Sequence, residues 1–213
     1  KDFPEPLLAA VAELPADELK AALSALQRTE FIHEQALYPV AEYAFKHPLT
    51  QEVALATQLR EHRRHVHAAL ARAIEQQDAE HLDERAALLA HHCEEAGETL
   101  AAARWHGRAA ESVGRTDVAA ATHHWERVRA LLRDPPAGPE AAALGIAACT
   151  QLLDVGWRVG TGLDEARALL EEGQTLANAT GDRRAHLNLS IVFGRAVGGT
   201  GAVAENLELA VEN

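Results

Sequence analysis

Apolar residues recur at intervals of three and four along most of the chain, which is the spacing of one face of an α-helix. The first segments that show it cover residues 5–14 and 16–28. Pro15, followed by acidic residues at positions 17 and 18, is typical of a helix start, because proline fits the first turn and carboxylates favour the positive end of the helix dipole. We therefore predict two short helices here.

The period changes after the second helix. Residues 31–34 (FIHE) and 42–47 (EYAFKH) are short runs of β-type composition, and they are separated by the linker QALYPVA. Pro48 ends the second run, and helical spacing returns in LTQEVALATQL and REHRRHVHAALARAIEQ. The order helix, helix, hairpin, helix predicts a winged-helix-like unit over residues 1–75.

From about residue 80 the chain reads as helical segments separated by helix breakers. One apolar stripe consists of Leu82, Ala86, Leu89, Cys93, Ala96 and Leu100. A second stripe consists of Val118, Ala121, Trp125, Val128 and Leu132. We expect Cys93 to be a small buried residue within the first stripe. Before the second stripe, Gly114 is predicted to end one helix and Thr116 to cap the next.

The remaining segments suggest a repeat. The sequence DPPAGPE (134–140) interrupts the helical pattern, and Gly181 with Asp182 is predicted to end one helix and cap another. Residues 116–132 and 163–179 share an Asp and two Ala residues at a spacing of 47. Small residues at helix contacts are what stacked helical repeats need, so we predict a repeat array over residues 76–213 that is incomplete at its C-terminus.

Composition narrows the classes of function. Aromatic residues make up 4% of the chain and the formal net charge is −12, which favours an all-α protein and disfavours direct nucleic-acid binding. Two distant cysteines provide no disulfide framework, so we expect a reducing cytoplasm. The sequence shows no signal peptide and no long apolar run, which predicts no membrane span. A chain without methionine that ends in the helical pattern AVAENLELAVEN is expected to be a module of a longer protein.

Two histidine-rich runs are the candidates for chemistry. In AHHCEEAGE (90–98) adjacent helical residues diverge by about 100°, so we favour a packed cysteine with two flanking histidines over a metal site. In EHRRHVH (61–67), His62 and His65 share a face, but no HExxH pattern completes a site and the two arginines between them repel cations. We predict no metal site, and no phosphate-binding loop or catalytic motif is present, so we expect this chain not to be an enzyme.

Three segments resemble one family of large bacterial signalling proteins. Residues 42–75, with the run FKHPLTQEVA, are similar to the segment that closes their STAND-type or AAA-type ATPase part. LLAHHCEEAGE (88–98) is similar to a Leu-Ala-His-His-Phe-Glu-Glu-Ala-Gly-Glu motif, with Cys93 in place of the usual aromatic residue. Residues 169–194 resemble a tetratricopeptide-like (TPR-like) region. The resemblance implies a mainly α fold, with a small winged-helix-like unit of helices and a short β-hairpin followed by a TPR-like array.

The resemblance also implies a role. Such proteins are most often joined to a class III adenylate/guanylate cyclase domain and sometimes to a LuxR-type DNA-binding domain. The implied function is a non-catalytic regulatory and protein-interaction module that couples nucleotide state to the cyclase effector; the alternative is the equivalent module of a LuxR-type transcription regulator. The implied partners are other domains of the parent chain and a protein on the repeat surface.

One residue is implied in nucleotide binding. His47 matches the family position that contacts the ADP phosphate, so ATP or ADP would belong to the intact parent and no cofactor to this chain alone. The alternative is that His47 only caps the helix that begins near Leu49. We expect the signal to pass through a contact between two groups of residues. One group is the arginines Arg60, Arg63 and Arg64, and the other is the acidic helix face around Glu94 and Glu95.

Overall fold

Helices make up most of the chain in the computed structural model, as the apolar spacing predicts. The structure describes residues 2–36, 40–114, 116–133, 138–159 and 161–199. The helices in these ranges are α1 Glu5–Val11, α2 Ala16–Arg28, α3 Pro48–Thr57, α4 Arg60–Gln77, α5 Leu82–Ala96, α6 Thr99–Val113, α7 Val118–Leu131, α8 Pro139–Val159, α9 Leu163–Thr180 and α10 Arg183–Gly199. The strands are β1 Asp2–Pro4, β2 Ile32–Ala36 and β3 Glu42–Phe45. The predicted fold class, mainly α with a small β unit and a helical repeat array, is confirmed.

The strands form one antiparallel sheet in the order β1-β3-β2. The predicted hairpin is confirmed, because β2 pairs with β3 and Glu34 lies opposite Tyr43. A bulge between Glu34 and Ala36 shifts the register near the end of β2. Strand β1 was not predicted, since three residues are too few to show an alternating pattern.

Within the described residues, contacts divide the chain into two compact units. The first contains residues 2–82 and 91–98, and the second contains residues 83–90 and 99–199. Helix α5 therefore contributes its first half to the second unit and its second half to the first. The boundary predicted between residues 75 and 76 stays a prediction.

In the first unit, α2 packs its apolar face against the sheet. The buried core there consists of Leu19, Leu23, Ile32 and Tyr43. The Phe3 ring of β1 stacks on Tyr43 with 6.1 Å between the ring centroids. Burial raises the pKa of the Tyr43 phenol, and the nearby Glu5 carboxylate adds to this.

In the second unit, α6 packs on α7, α8 packs on α9, and α10 packs on both α8 and α9. Short connections make successive helices antiparallel neighbours. The most deeply buried large side chains of this core are Phe193, Leu153, Leu169, Leu189, Val128, Val197 and Cys149. The second predicted stripe is confirmed, since its middle residues Ala121, Trp125 and Val128 are all buried.

Two predicted helix boundaries have different outcomes. Gly181 ends α9 in the left-handed conformation at φ 72°, and the Asp182 carboxylate accepts a hydrogen bond from the Ala185 amide, so both predictions are confirmed. The prediction for Thr116 is wrong: Asp117 caps α7, accepting from the Ala120 amide at 2.9 Å. The Thr116 hydroxyl instead donates back to the Val113 carbonyl, where it cannot reach α7.

Other predictions fall partly outside the described residues. Helix α7 ends at Leu131 and α8 begins at Pro139, in agreement with the predicted interruption, although residues 134–137 are not described. The pattern at 202–213 also lies outside the described residues. Among the helices that are described, none combines the length and the apolar character needed to cross a membrane.

Candidate functional site

Helix α5 carries the AHHCEEAGE run, and its buried stripe is the one that the sequence predicts. Leu89 is fully buried and Cys93 is 1% exposed, so the thiol lies within the packed face. The helix ends where Gly97 adopts φ 79°. Because Cys93 occupies the buried face, the Cα–Cβ bonds of the neighbouring histidines point away from that face.

The histidines of α5 meet one histidine of α4. The Nδ1 atoms of His67 and His92 are 2.9 Å apart, which is a hydrogen-bond distance. One possible ligand nitrogen from each of His67, His91 and His92 lies within 4.8 Å of the other two. We call these three residues the histidine cluster. It belongs entirely to the first unit.

The divergence expected of adjacent helical residues does not keep the rings of His91 and His92 apart, and the prediction of no metal site stays a prediction. Their ring centroids are 5.2 Å apart, and both rings lie within 5.9 Å of the His67 ring. The Cα–Cβ bonds of adjacent helical residues do diverge, but rotation about the two side-chain torsions turns both rings toward α4. The prediction of no metal site assumed divergence out to the ring nitrogens.

The structure does not bring the candidate pair of α4, His62 and His65, to the cluster. His65 lies 3.4 Å from a Glu13 carboxylate oxygen, and His62 is exposed. His67, the last residue of the same run, is the one that reaches α5. The periodicity of α4 alone does not reveal this pairing, because it depends on how α4 packs against another helix.

Burial favours the neutral form of two residues of the cluster, His67 and His92. It lowers the pKa of His92 to about 4, and nearby positive charge on His67 and His91 contributes to the same shift. Burial likewise lowers the pKa of His67, and the Glu95 carboxylate partly opposes this. At neutral pH one of the two close Nδ1 atoms donates its proton to the lone pair of the other.

A second histidine pair repeats part of this arrangement in the second unit. The Nδ1 atoms of His106 in α6 and His124 in α7 are 2.9 Å apart. His123 lies beside them, with its ring centroid 5.8 Å from that of His124. In both pairs the partner is the second residue of a His-His dipeptide. The sequence signal was this repeated dipeptide, yet within the described part of the chain only the first example gathers three ligands.

His47, the predicted nucleotide contact, occupies the N-cap position of α3. Its side chain is exposed and makes no capping hydrogen bond to that helix. The preceding Lys46 forms an ion pair with Glu30 at 2.9 Å, and this interaction lowers the pKa of the Glu30 carboxyl. The simple capping role is thus not the one seen, and a role toward ADP stays a prediction.

The residues expected to transmit a signal lie on α4 and α5. The Arg64 guanidinium lies beside Gly97, with its Nε atom 3.6 Å from where a β-carbon on that glycine would stand. Glu94 and Glu95 belong to the same unit as the arginines Arg63 and Arg64. Their role in transmission stays a prediction.

A groove of about 470 Å³ lies in the second unit and carries charges of both signs. Its lining includes Thr122, Glu126, Arg129, Arg133 and Glu165. At its side Arg129 forms an ion pair with Glu172 at 2.7 Å. Burial, with a contribution from Glu172, raises the pKa of the nearby Cys149 thiol to about 12. A thiol held in its protonated form is a poor nucleophile.

Comparison with known proteins adds no further assignment. The chain matches no protein-family model, no curated protein and no solved structure.

Proposed function

We propose that this chain is a non-catalytic regulatory and protein-interaction module of a multidomain signalling ATPase, and that it couples the ATP or ADP state to an adenylate or guanylate cyclase effector. The sequence resemblance suggests the family. The geometric observation that carries the proposal is an uncovered apolar face on α3, next to His47.

The α3 face consists of Leu49 and Val53, which are 68% and 55% exposed. The two residues are four positions apart and therefore lie on the same side of the helix. No residue of α3 is buried, although its composition is predominantly apolar. Contact between apolar side chains and water is unfavourable. An exposed apolar helix face is therefore typical of a surface that another domain covers. The occupant that we propose is the nucleotide-binding part of the parent chain.

The position of His47 gives that interface a function. It stands at the N-terminus of α3, where the helix dipole favours a phosphate. A domain docked on Leu49 and Val53 would bring its nucleotide close to this end of the helix. An imidazole there donates a hydrogen bond to a phosphate oxygen, so docking would depend on which nucleotide is bound.

The second unit supplies a surface for a protein partner. Leu187 and Ile191 of α10 are 54% and 63% exposed, and they are four residues apart. They line an open groove of about 730 Å³ together with Asp182, Arg183, Arg184 and Asn188. Apolar residues rimmed by charges are typical of sites that bind an amphipathic helix.

The test uses the parent protein and its cyclase activity. Replacing Leu49 and Val53 by serine should leave the thermal stability of this chain nearly unchanged, since exposed substitutions rarely exceed about 0.5 kcal/mol. The same change should abolish the difference in cyclase activity between the ATP-bound and ADP-bound parent. Leu26→Ser, at an exposed leucine on another helix of the same unit, is the matched control. Nucleotide-dependent activity that survives in the double variant would refute the proposed interface.

His47→Ala tests the nucleotide contact separately. We expect weaker ADP retention by the parent, measured by the dissociation rate of a labelled nucleotide, with docking through Leu49 and Val53 preserved. Unchanged retention would remove His47 from the site.

The alternative, a LuxR-type regulator, predicts a DNA-binding domain in the parent and no cyclase activity, and the domain composition of the parent distinguishes the two.

A further inference from the structure

The histidine cluster is more than a buried hydrogen bond. A His–His hydrogen bond needs two rings, and His67 and His92 already satisfy it. The exposed His91 brings a third nitrogen to within 4.8 Å of both without being needed for packing. Three imidazoles that converge from two helices, one of them accessible to solvent, make an arrangement that an incoming ion can reach.

The distances suit a transition metal. Imidazole nitrogens bind zinc at about 2.0–2.1 Å, so two ligands at a right angle stand about 2.9 Å apart, and at a tetrahedral angle about 3.4 Å apart. The His67 and His92 nitrogens already have the first spacing. The His91 nitrogen lies within 4.8 Å of the other two, so it has to approach them by up to about 1.4 Å to reach the tetrahedral spacing, and an exposed side chain makes that adjustment by a torsional change.

Charge and ligand type define the class of ion. Glu95 lies one turn beyond His91, and its carboxylate acts on His67, so a negative charge stands near the cluster. Arg63 acts on His67 with the opposite sign and lowers the affinity. Neutral imidazoles select borderline ions such as Zn²⁺, Ni²⁺ and Co²⁺ over Mg²⁺ and Ca²⁺, which prefer oxygen ligands.

We propose that His67, His91 and His92 bind one divalent transition-metal ion of the Zn²⁺, Ni²⁺ or Co²⁺ class, with water or the Glu95 carboxylate in the remaining position. The ion joins α4 to the second half of α5, two segments 25 residues apart in sequence. Binding stabilises the folded chain because the unfolded chain does not present the three ligands together. This site is independent of the proposed signalling function.

The test is titration of the full chain, without any polyhistidine tag, with ZnCl₂ and separately with NiCl₂ in a calorimeter. We expect one ion per chain and a loss of at least tenfold in affinity in each of His67→Gln, His91→Ala and His92→Gln. His124→Gln is the matched control, since it disrupts the other close histidine pair, and His62→Ala controls for the neighbouring run. Both control variants should bind the metal ion as tightly as the unsubstituted chain does.

The Co²⁺ complex tests the ligand set. Nitrogen and oxygen ligands give weak visible bands without the intense near-ultraviolet band of a thiolate, so a thiolate band would overturn the assignment in favour of Cys93. Circular dichroism shows whether each variant is folded. If a buried substitution unfolds the chain, metal binding by the exposed His91→Ala variant is the measurement that tests the proposal. Binding that is absent, that is equally strong in His91→Ala, or that is matched by MgCl₂ would overturn the proposal.

Discussion

Gly173 and Leu189 approach so closely that there is no room for a side chain between them. A β-carbon on Gly173 of α9 would stand 2.9 Å from both terminal methyl carbons of Leu189 in α10, and 3.2 Å from the β-carbon of Cys149 in α8. Leu189 and Cys149 are both fully buried, so neither has space into which to move. Three helices of the second unit therefore meet at this glycine.

Gly173→Ala is expected to destabilise the chain. Alanine favours a helix over glycine by about 0.5–1 kcal/mol, but overpacking a filled core costs about 1–3 kcal/mol, so the net loss should be about 1–2 kcal/mol. Urea denaturation measures it. Gly107→Ala is the control, because its β-carbon would meet Trp125 at an ordinary 3.4 Å, and it should be neutral or slightly stabilising. A Gly173→Ala variant as stable as Gly107→Ala would contradict the close approach.

The close helix contact at Gly173 and most of the fold could be predicted from the sequence, because both depend on the spacing of residues along single helices. Gly173 stands in line with Leu163, Ala166, Leu170 and Ala177, and a glycine on that helix face predicts a close helix contact. The same reasoning placed Cys93 in a buried stripe. It failed for the histidine cluster, since the meeting of His67 with His92 depends on the packing of α4 on α5 and on side-chain torsions. Neither is encoded in the periodicity of a single helix.

The cap of α7 is expected to depend on Asp117. Asp117→Ala removes the acceptor for the Ala120 amide and should cost about 0.5–2 kcal/mol of stability, the usual value for a lost N-cap. Thr116→Ala is the control, because its hydroxyl bonds back to α6 and not to α7. Thermal unfolding of the two variants measures the difference. A larger effect at Thr116 than at Asp117 would restore the cap that the sequence predicted.

The two cysteines are expected to resist modification in the folded chain. Cys93 and Cys149 are 1% and 0% exposed, and burial raises the pKa of Cys149 to about 12, so very little reactive thiolate is present at neutral pH. Titration with a disulfide reagent should detect almost no reactive thiol under native conditions and both thiols in concentrated guanidinium. Rapid native reaction would mean that the helices of this core open readily.

The second histidine pair should make stability depend on pH. Burial lowers the pKa of His124 below its ordinary value of 6.5, and positive charge on His106 and His123 adds to this. The unfolded chain therefore binds this proton at a higher pH than the folded chain does. The contribution of His124 is fully present above pH 6.5 and is lost as the pH falls through that value toward the folded pKa.

His124→Gln isolates this effect from that of the other histidines. Glutamine does not titrate, and it retains polar atoms that can form a hydrogen bond with His106. The variant should therefore lose less stability than the unsubstituted chain when the pH falls from about 8 to about 5. Urea denaturation at several pH values measures both curves. The difference in unfolding free energy between the unsubstituted chain and the His124→Gln variant should be constant above about pH 7 and should become smaller as the pH falls. Parallel curves over the whole range would show that His124 titrates alike in the folded and unfolded chains, and would contradict its burial against His106.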